Sequence, residues 1–257
     1  MKSSGNLTIR HKCSGCELRR RGFFCDLPSG TLQALEALKI TMSYPKGTAL
    51  FLEGEPASGV YIICQGRIKL STHSSDGKAL ILRVAEPGEV LALSAVVAGT
   101  ELKATAEVLE SCQVNFIRKQ DLLRFIRNHA DAGLAALRQL SDNYHQAYTQ
   151  VCSLGLSSSV ADKLAKLLLG WCRRASPLPP LAGMAGVNGS SIRMKLTFSH
   201  EEIAEMIGTS RETVTRLLKE FRERGLISLK GSDLVIHSER GLESSIGSPR
   251  GRGRAAL

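Results

Sequence analysis

The segment from Phe198 to Gly225 constrains the fold of this chain most, because its pattern predicts two short helices joined by a tight turn. Each helix carries an apolar face at helical spacing, formed by Ile203, Ala204 and Ile207 in the first and by Val214, Leu217 and Leu218 in the second. Gly208 stands where a helix needs a left-handed closing residue. Ser210 follows as an N-cap, with Thr213 three positions on. This arrangement is a helix-turn-helix.

The polar face of the second helix is rich in cations, although a merely solvated helix favours acids near its N-terminus. Its first turns carry Arg211, Glu212, Thr215, Arg216 and Lys219. Arginine can bond guanine through two hydrogen bonds, glutamate can accept from cytosine, and lysine can meet phosphates. A helical hairpin inside a core would share the apolar spacing but not these side chains. The segment therefore predicts binding to double-stranded DNA, with Ser210 at the start of the DNA-reading helix.

Composition limits the classes of protein that this chain can form. Its 257 residues are enough for two modest cores, and its formal net charge of +10 suits a polyanionic partner. No apolar run reaches the length of a membrane span, and no signal peptide is recognisable, so we expect a cytoplasmic protein without a membrane role. The seven cysteines are then expected to be reduced thiols or ligands. No nucleophile or phosphate-cradle motif predicts an enzyme.

The first half of the chain, from about Thr31 to Phe125, has the pattern of an all-β unit. Its short runs rich in Val, Ile and Leu are Tyr61–Cys64, Arg67–Thr72, Ala79–Val84 and Gln113–Ile117. Glycines at 66, 77, 88 and 99 fall eleven residues apart, as turn residues between short strands would. The spacing favours a compact, cupin-like antiparallel roll or barrel, although a β-sandwich has the same signature.

A helical period follows the β unit. Apolar or small residues recur at three- and four-residue steps at Ala130, Gly133, Leu137, Leu140, Tyr144, Ala147, Val151 and Leu154. This is the a/d pattern of a coiled-coil seam, so we expect a homodimer. The predicted interface consists of Leu137, Leu140, Tyr144, Ala147, Val151 and Leu154. The positions expected to face outward include Arg138, Gln139, Asp142 and Gln146, and the N-terminal half could instead lie on the β unit.

The remaining segments predict a winged helix around the helix-turn-helix. Ser157–Ser159 are expected to cap a helix at Val160–Arg174, and Arg193–Thr197 alternate as a short strand. Leu226–Leu229 and Leu234–His237 form a predicted hairpin, with Lys230 at the wing tip able to meet a phosphate. The expected organisation is α+β: a cysteine-containing segment (1–28), a β-roll sensor domain (29–126), a dimerisation helix (127–155), a winged helix-turn-helix (156–237) and a basic disordered tail (238–257).

A β-roll, a long dimer helix and a C-terminal winged helix in this order resemble the CRP/FNR family of bacterial transcription regulators. The most specific part is SRETVTRLLKEFRERGLI, residues 210–227, which looks like that family's recognition helix and the strand after it. The resemblance implies a two-fold DNA operator bound by a homodimer, and RNA polymerase as a further partner. Arg211, Glu212 and Arg216 would read the bases. Thr215 stands where the oxygen-sensing branch has a serine, whereas Arg211 matches the cyclic-AMP branch.

The family's cyclic-nucleotide pocket depends on polar residues that this chain lacks. That pocket holds ribose with a Gly-Glu pair and phosphate with an Arg-Ser pair. The matching positions here are Ala92-Leu93 and Leu102-Lys103. Leucine cannot accept from ribose hydroxyls or bond phosphate, and burying an unpaired phosphate is costly. The residues therefore argue against cyclic AMP or GMP as the effector.

Four cysteines resemble the thiolates with which the oxygen-sensing branch holds a [4Fe–4S] cluster, and they indicate nearness to the FNR branch. Cys13, Cys16 and Cys25 precede the roll, and Cys112 lies far downstream on a predicted strand. Two features depart from that pattern. Eight residues instead of five separate Cys16 from Cys25. Asn115 takes the expected place of the fourth cysteine, and the odd offset of Cys112 sends its side chain to the opposite face of a strand.

The residues leave several interpretations of these cysteines open. Three or four thiolates suit zinc as well as iron, and they could also form a thiol redox switch without a metal. Cys112 could simply be a small core residue. The other three cysteines lie inside apolar segments and are expected in the core: Cys64, Cys152 and Cys172.

Overall fold

The computed structural model describes residues 12–19, 22–157, 159–174 and 192–244. The chain divides into two compact units, residues 1–148 and 149–257. The elements of the first unit are α1 (Ser29–Leu38), β1 (Ile40–Tyr44), β2 (Ala49–Phe51), β3 (Gly59–His73), β4 (Ala79–Ala85), β5 (Val90–Leu91), α2 (Leu93–Ala98), β6 (Thr105–Arg118) and α3 (Lys119–Asn128). Helix α4 (Ala130–Leu156) begins in the first unit and ends in the second.

The first unit is built on one antiparallel sheet. Its strand order is β1-β6-β3-β4, with β2 also paired to β6 and β5 to β3. The buried core includes residues of the two longest strands, among them Val60, Ile63, Ile68, Val108 and Val114. The predicted antiparallel β-roll is therefore confirmed.

Strand β3 differs from the prediction of two strands separated by a turn at Gly66. Gly66 has a left-handed φ of 85° but lies inside one continuous strand of 15 residues. A Cβ added there would lie 2.7 Å from the Ser111 carbonyl oxygen. The register of β3 against β6 shifts on both sides of Gln65. Gly66 thus lies at a β-bulge where the backbones of β3 and β6 approach closely, and β3 continues through the bulge.

Helix α1 was not predicted, because the segment from Thr31 was interpreted as β structure. Leu32 and Leu35 are buried three residues apart, which places them on one face of a helix. Phe24 and Leu27, in the preceding cysteine-containing segment, are also buried in the core of the roll. The prediction failed because a helix of ten residues spans fewer than three turns and gives little periodic signal.

The first half of α4 packs on the roll through small residues. Ala132, Ala135 and Ala136 are buried and belong to its core. Gln139 is only 1% exposed, and its side-chain oxygen accepts a hydrogen bond of 3.3 Å from the Val90 amide. The prediction that Gln139 faces outward is therefore wrong, because the alanines form a second buried face that an apolar stripe does not reveal.

The second unit contains the predicted winged helix. Its elements are α5 (Val160–Arg174), β7 (Ile192–Lys195), α6 (His200–Ile207), α7 (Arg211–Glu223), β8 (Ile227–Lys230), β9 (Asp233–Ile236) and α8 (Glu239–Ser244). The three strands form an antiparallel sheet in the order β7-β9-β8. None of the helices in the described part of the chain is long and apolar enough to cross a membrane.

The tail that was predicted to be disordered, residues 238–257, begins with an ordered helix. Glu239–Ser244 form α8, and Leu242 on this helix is fully buried. One buried apolar side chain is enough to dock this short, polar helix, and composition does not show this. The rest of the predicted tail, residues 245–257, lies outside the described residues.

Candidate DNA-binding site

Helix α6 is fixed at both ends by its own residues. The Ser199 hydroxyl accepts from the Glu202 amide at 3.2 Å, and the Glu202 carboxylate accepts from the Ser199 amide at 2.8 Å. This reciprocal pair is a capping box, which satisfies two amides that a helix start leaves unpaired. At the other end Gly208 has a φ of 66°, so the predicted left-handed closing glycine is confirmed.

Helix α7 starts at the predicted N-cap. The Ser210 hydroxyl accepts from the Thr213 amide at 3.3 Å, and the two hydroxyl oxygens are 3.1 Å apart. Because the turn from Gly208 to Ser210 is short, the start of α7 is held at a defined angle to α6.

The two faces of α7 have opposite characters. The inner face is buried over its whole length by Val214, Leu217, Leu218 and Phe221. The outer face exposes the predicted DNA-binding residues Arg211, Glu212, Thr215, Arg216 and Lys219. The side chains of Arg216 and Lys219 are 58% and 68% exposed. A helix locked on one side and cationic on the other can present its side chains to a groove without losing its place in the core.

Thr215 is held by a residue that the sequence did not identify. Its hydroxyl donates to the Arg211 carbonyl at 2.9 Å, and its oxygen lies 2.8 Å from His200 Nδ1. His200 is the first residue of α6, so this contact joins the exposed sides of α6 and α7. The contact depends on the angle between the two helices, and no local pattern around His200 could have indicated it.

The cations on the outer face of α7 are only loosely paired. Arg216 and Lys219 lie 4.0 and 3.8 Å from Glu220 and Glu223 one helical turn on. Such exposed pairs contribute about 0.3–0.5 kcal/mol each, so a phosphate can replace the glutamate. Hydrogen bonds from its own backbone amide and then from the Ser210 hydroxyl hold the pKa of Glu212 below its usual value. Glu212 is therefore available as an acceptor.

The wing places one cation at its tip. Strands β8 and β9 pair Lys230 with Asp233 and leave a two-residue turn in which Gly231 has a φ of 62°. Asp233 accepts from Arg193 on β7 at 2.7 Å, which ties the wing to the third strand. Lys230 is exposed, as a phosphate contact requires.

Replacing Ser199 by alanine is expected to lower the free energy of unfolding by about 1 kcal/mol, because the Glu202 amide loses its acceptor. Urea denaturation followed by circular dichroism measures this change. Ser232→Ala is the matched control, since Ser232 is exposed in the wing turn and no capping contact involves it. Equal stability of both variants would show that the capping box does not stabilise the unit.

The predicted dimer residues fall into two groups. Leu137, Tyr144 and Val151 are 65%, 67% and 68% exposed, and Ala147 is exposed as well. Leu140 and Leu154 are half-buried. Tyr148, which the prediction missed, is 61% exposed and stacks on Tyr144 with ring centroids 6.5 Å apart. The four-residue step from Tyr144 was the signal that could have found it.

The structure brings together three of the four cysteines proposed as metal ligands. Cys13, Cys16 and Cys25 line one cavity, and Cys112 is buried on β6 away from it. Across the described residues, no three His, Cys, Asp or Glu side chains converge on a point that one metal ion would occupy.

Three of the four positions that would hold a cyclic nucleotide carry apolar side chains. Leu93 and Leu102 are buried in the core of the roll. Ala92 has a φ of 65°, the left-handed value that suits the glycine of the family's Gly-Glu pair. Lys103 is exposed.

Two family models match the two units in order. Residues 41–129 match the cyclic nucleotide-binding domain, and residues 162–245 match the Crp-like helix-turn-helix domain. A CRP-like cAMP-activated global transcriptional regulator of Mycobacterium tuberculosis is 29% identical over 226 residues, which cover 87% of this chain and 96% of that protein. The global nitrogen regulator of Synechocystis sp. is 25% identical over 201 residues, which cover 77% and 85%.

The fold has solved counterparts. The structure of FixK2 from Bradyrhizobium japonicum superposes with a TM-score of 0.68 at 22% identity, and the match covers 82% of this chain and 98% of that one. A cyclic nucleotide-binding domain followed by a Crp-like helix-turn-helix defines a DNA-binding transcription regulator and not an enzyme. The chain belongs to the CRP/FNR family, and its nearness to the FNR branch stays a prediction.

Proposed function

We propose that this regulator binds a two-fold DNA operator as a homodimer. Arg211, Glu212 and Arg216 read base edges, and Lys219 and Lys230 meet phosphates. The observation that carries this assignment is the division of α7 into a fully buried face and an exposed face that bears all but the last of these residues. Regulation then follows from contact with RNA polymerase at a bound operator.

The exposed stripe on α4 supports the homodimer. Leu137, Tyr144, Tyr148 and Val151 follow each other at steps of seven, four and three residues, so they lie along one line of the helix. Large apolar side chains in a continuous line are rare on the surface of a monomer. The same line on a second copy would cover it in a self-complementary interface with coiled-coil spacing.

Selection of binding sites from a random duplex library tests the operator. The enriched sequences are expected to contain two inverted half-sites whose centres are about 10–10.5 base pairs apart, or a multiple of that spacing, as two recognition helices on one side of the duplex require. Enrichment of a single half-site without symmetry, or of no sequence, would contradict the proposal.

Two candidates exist for the signal that this regulator senses: a signal received by the cysteines of the first unit, or a cyclic nucleotide. The matching domain and the M. tuberculosis relative's name favour a cyclic nucleotide. The burial of Leu93 and Leu102 supports the opposite conclusion, because ligand binding there would need polar partners for ribose and phosphate. We infer that the first unit responds through Cys13, Cys16 and Cys25.

Addition of cyclic AMP or cyclic GMP is expected to leave operator affinity unchanged, because these leucines offer no hydrogen bonds to either ligand. Fluorescence anisotropy with a labelled operator measures the effect, and isothermal titration calorimetry measures binding itself. The M. tuberculosis relative, named for its activation by cyclic AMP, is the positive control. If either nucleotide raised the operator affinity of this chain, the cyclic nucleotide would be the favoured effector.

A further inference from the structure

A fourth cysteine, Cys64, completes the group that lines the cavity. The cavity is formed by Cys13, Cys16, Cys25 and Cys64, and apolar side chains such as Phe24 close it together with Lys39 and Asn115. Cys64 belongs to β3, and the other three come from the segment ahead of α1. Two distant parts of the chain therefore meet at this cavity.

The position of Cys64 follows from the pairing of β3 with β6. Ile62 is directly opposite Asn115, and Cys64 lies two residues on, on the same face as Ile62. The register shifts between Ile63 and Gln65, so Cys64 sits at a bulge that aims its side chain toward Asn115. The side-chain amide of Asn115 donates through Nδ2 to Cys64 Sγ at 3.1 Å. Cys64 thus stands beside the place where the resemblance expected a cysteine and the chain has asparagine.

Two further donors point at sulfur atoms of this group. Lys39 Nζ donates to Cys13 Sγ at 3.1 Å, and the Leu18 amide donates to Cys16 Sγ at 3.5 Å. Hydrogen bonds from nitrogen stabilise the thiolate form over the neutral thiol. Such bonds to ligating sulfurs are a usual part of metal–thiolate sites.

The cysteine segment is held against the roll by its own core residues. Phe24 and Leu27 are buried, and a Cβ added to Gly22 would lie 2.5 Å from the Gly88 carbonyl oxygen. The close contact between these two backbones leaves no room for a side chain. The segment that carries Cys25 is therefore a fixed part of the unit.

We propose that Cys13, Cys16, Cys25 and Cys64 together ligate a thiophilic metal centre, with Cys64 as its fourth thiolate. Each thiol releases its proton when the metal binds. Cys112 does not take part, because it lies three residues before Asn115 on β6 and an odd offset in a strand puts it on the other face. Four thiolates select soft metals. An iron–sulfur cluster would bind them through separate iron atoms, so the sulfurs need not meet at one point, whereas one zinc ion would require them to move together.

Metal analysis of the full chain, purified without oxygen, tests the site. The wild-type chain is expected to carry metal as isolated, or after addition of Zn²⁺ or of Fe²⁺ with sulfide. Zinc alone in a colourless protein identifies a zinc site, and iron with acid-labile sulfide and visible absorbance identifies a cluster. A chain that takes up neither would overturn the proposal.

Single substitutions distinguish Cys64 from the other cysteines. Cys64→Ser is expected to weaken Zn²⁺ binding by at least about tenfold in competition with a chelator. Even the loss of a residue that only hydrogen-bonds a metal ligand lowers metal affinity by about 10–100-fold. Cys112→Ser and Cys152→Ser are the controls and should bind as the wild type does. Circular dichroism confirms that each variant is folded. Wild-type affinity in a folded Cys64→Ser chain, or equal loss in Cys112→Ser, rejects Cys64 as the ligand. These measurements need no DNA, so their result is independent of the operator.

Discussion

Arg211→Ala is expected to weaken binding to the selected operator by about 5- to 150-fold, while binding to unrelated duplex changes little. A bidentate contact between arginine and guanine contributes about 1–3 kcal/mol of discrimination against the wrong base. Arg211 is exposed in the first turn of α7, where the residues of a recognition helix reach base edges. Anisotropy titrations with operator and scrambled duplexes measure both affinities. Glu212→Ala should relax the preference at a different base pair.

Lys219→Ala is the matched variant for phosphate contact. Lys219 lies two turns further along the same exposed face and pairs only loosely with Glu223. Its loss is expected to weaken operator and scrambled duplexes about equally and to reduce the slope of log affinity against log salt by about one. If Arg211→Ala and Lys219→Ala behaved alike on both duplexes, the assignment of base reading to the start of α7 would be wrong.

The double substitution Tyr144→Glu and Val151→Glu is expected to convert the proposed dimer to a monomer. Two carboxylates in an apolar seam would face their counterparts in the partner copy, where burial without a counter-ion is costly. Operator affinity should then fall by about 10²- to 10⁴-fold, the gain that simultaneous binding of two half-sites provides. Analytical ultracentrifugation measures the mass, and anisotropy measures the affinity.

Gln146→Glu is the control for this pair of substitutions. Gln146 is exposed on the side of α4 opposite the stripe, so it adds the same charge without entering the seam. The control should remain dimeric. A dimer that survives both glutamates would show that the copies meet through another surface.

The features that were predicted correctly depend on neighbouring residues. Gly208 and Ser210 were identified because a left-handed closing glycine and an N-cap hydroxyl act within one turn of the chain. Ser159 was found for the same reason, and its hydroxyl accepts from the Asp162 amide at 3.1 Å. Local hydrogen bonding leaves its mark on local sequence, so these positions could be read without a structure.

Two of the features that were missed, the positions of Cys64 and Gln139, depend on contacts between distant segments. Cys64 was expected in the core because its run is apolar, and only the register of β3 against β6 puts it beside Asn115. The bulge after Ile63 shifts that register, and no local sequence pattern predicts the bulge. Gln139 was misplaced because its partner, the Val90 amide, lies 49 residues earlier. Such contacts become visible only when strands and helices are assembled.

The burial of Phe24 and Leu27 sets a lower limit on the size of the first folding unit. A chain shortened to begin at Ser29 would lose both side chains and leave holes beneath the sheet. Truncating a buried Phe and a buried Leu costs about 3–5 and 2–5 kcal/mol respectively, which together approach the whole stability of a typical domain. The residues ahead of α1 thus belong to the same folding unit as the strands. Removing them would lower the stability of that unit, and this loss would obscure any effect on sensing.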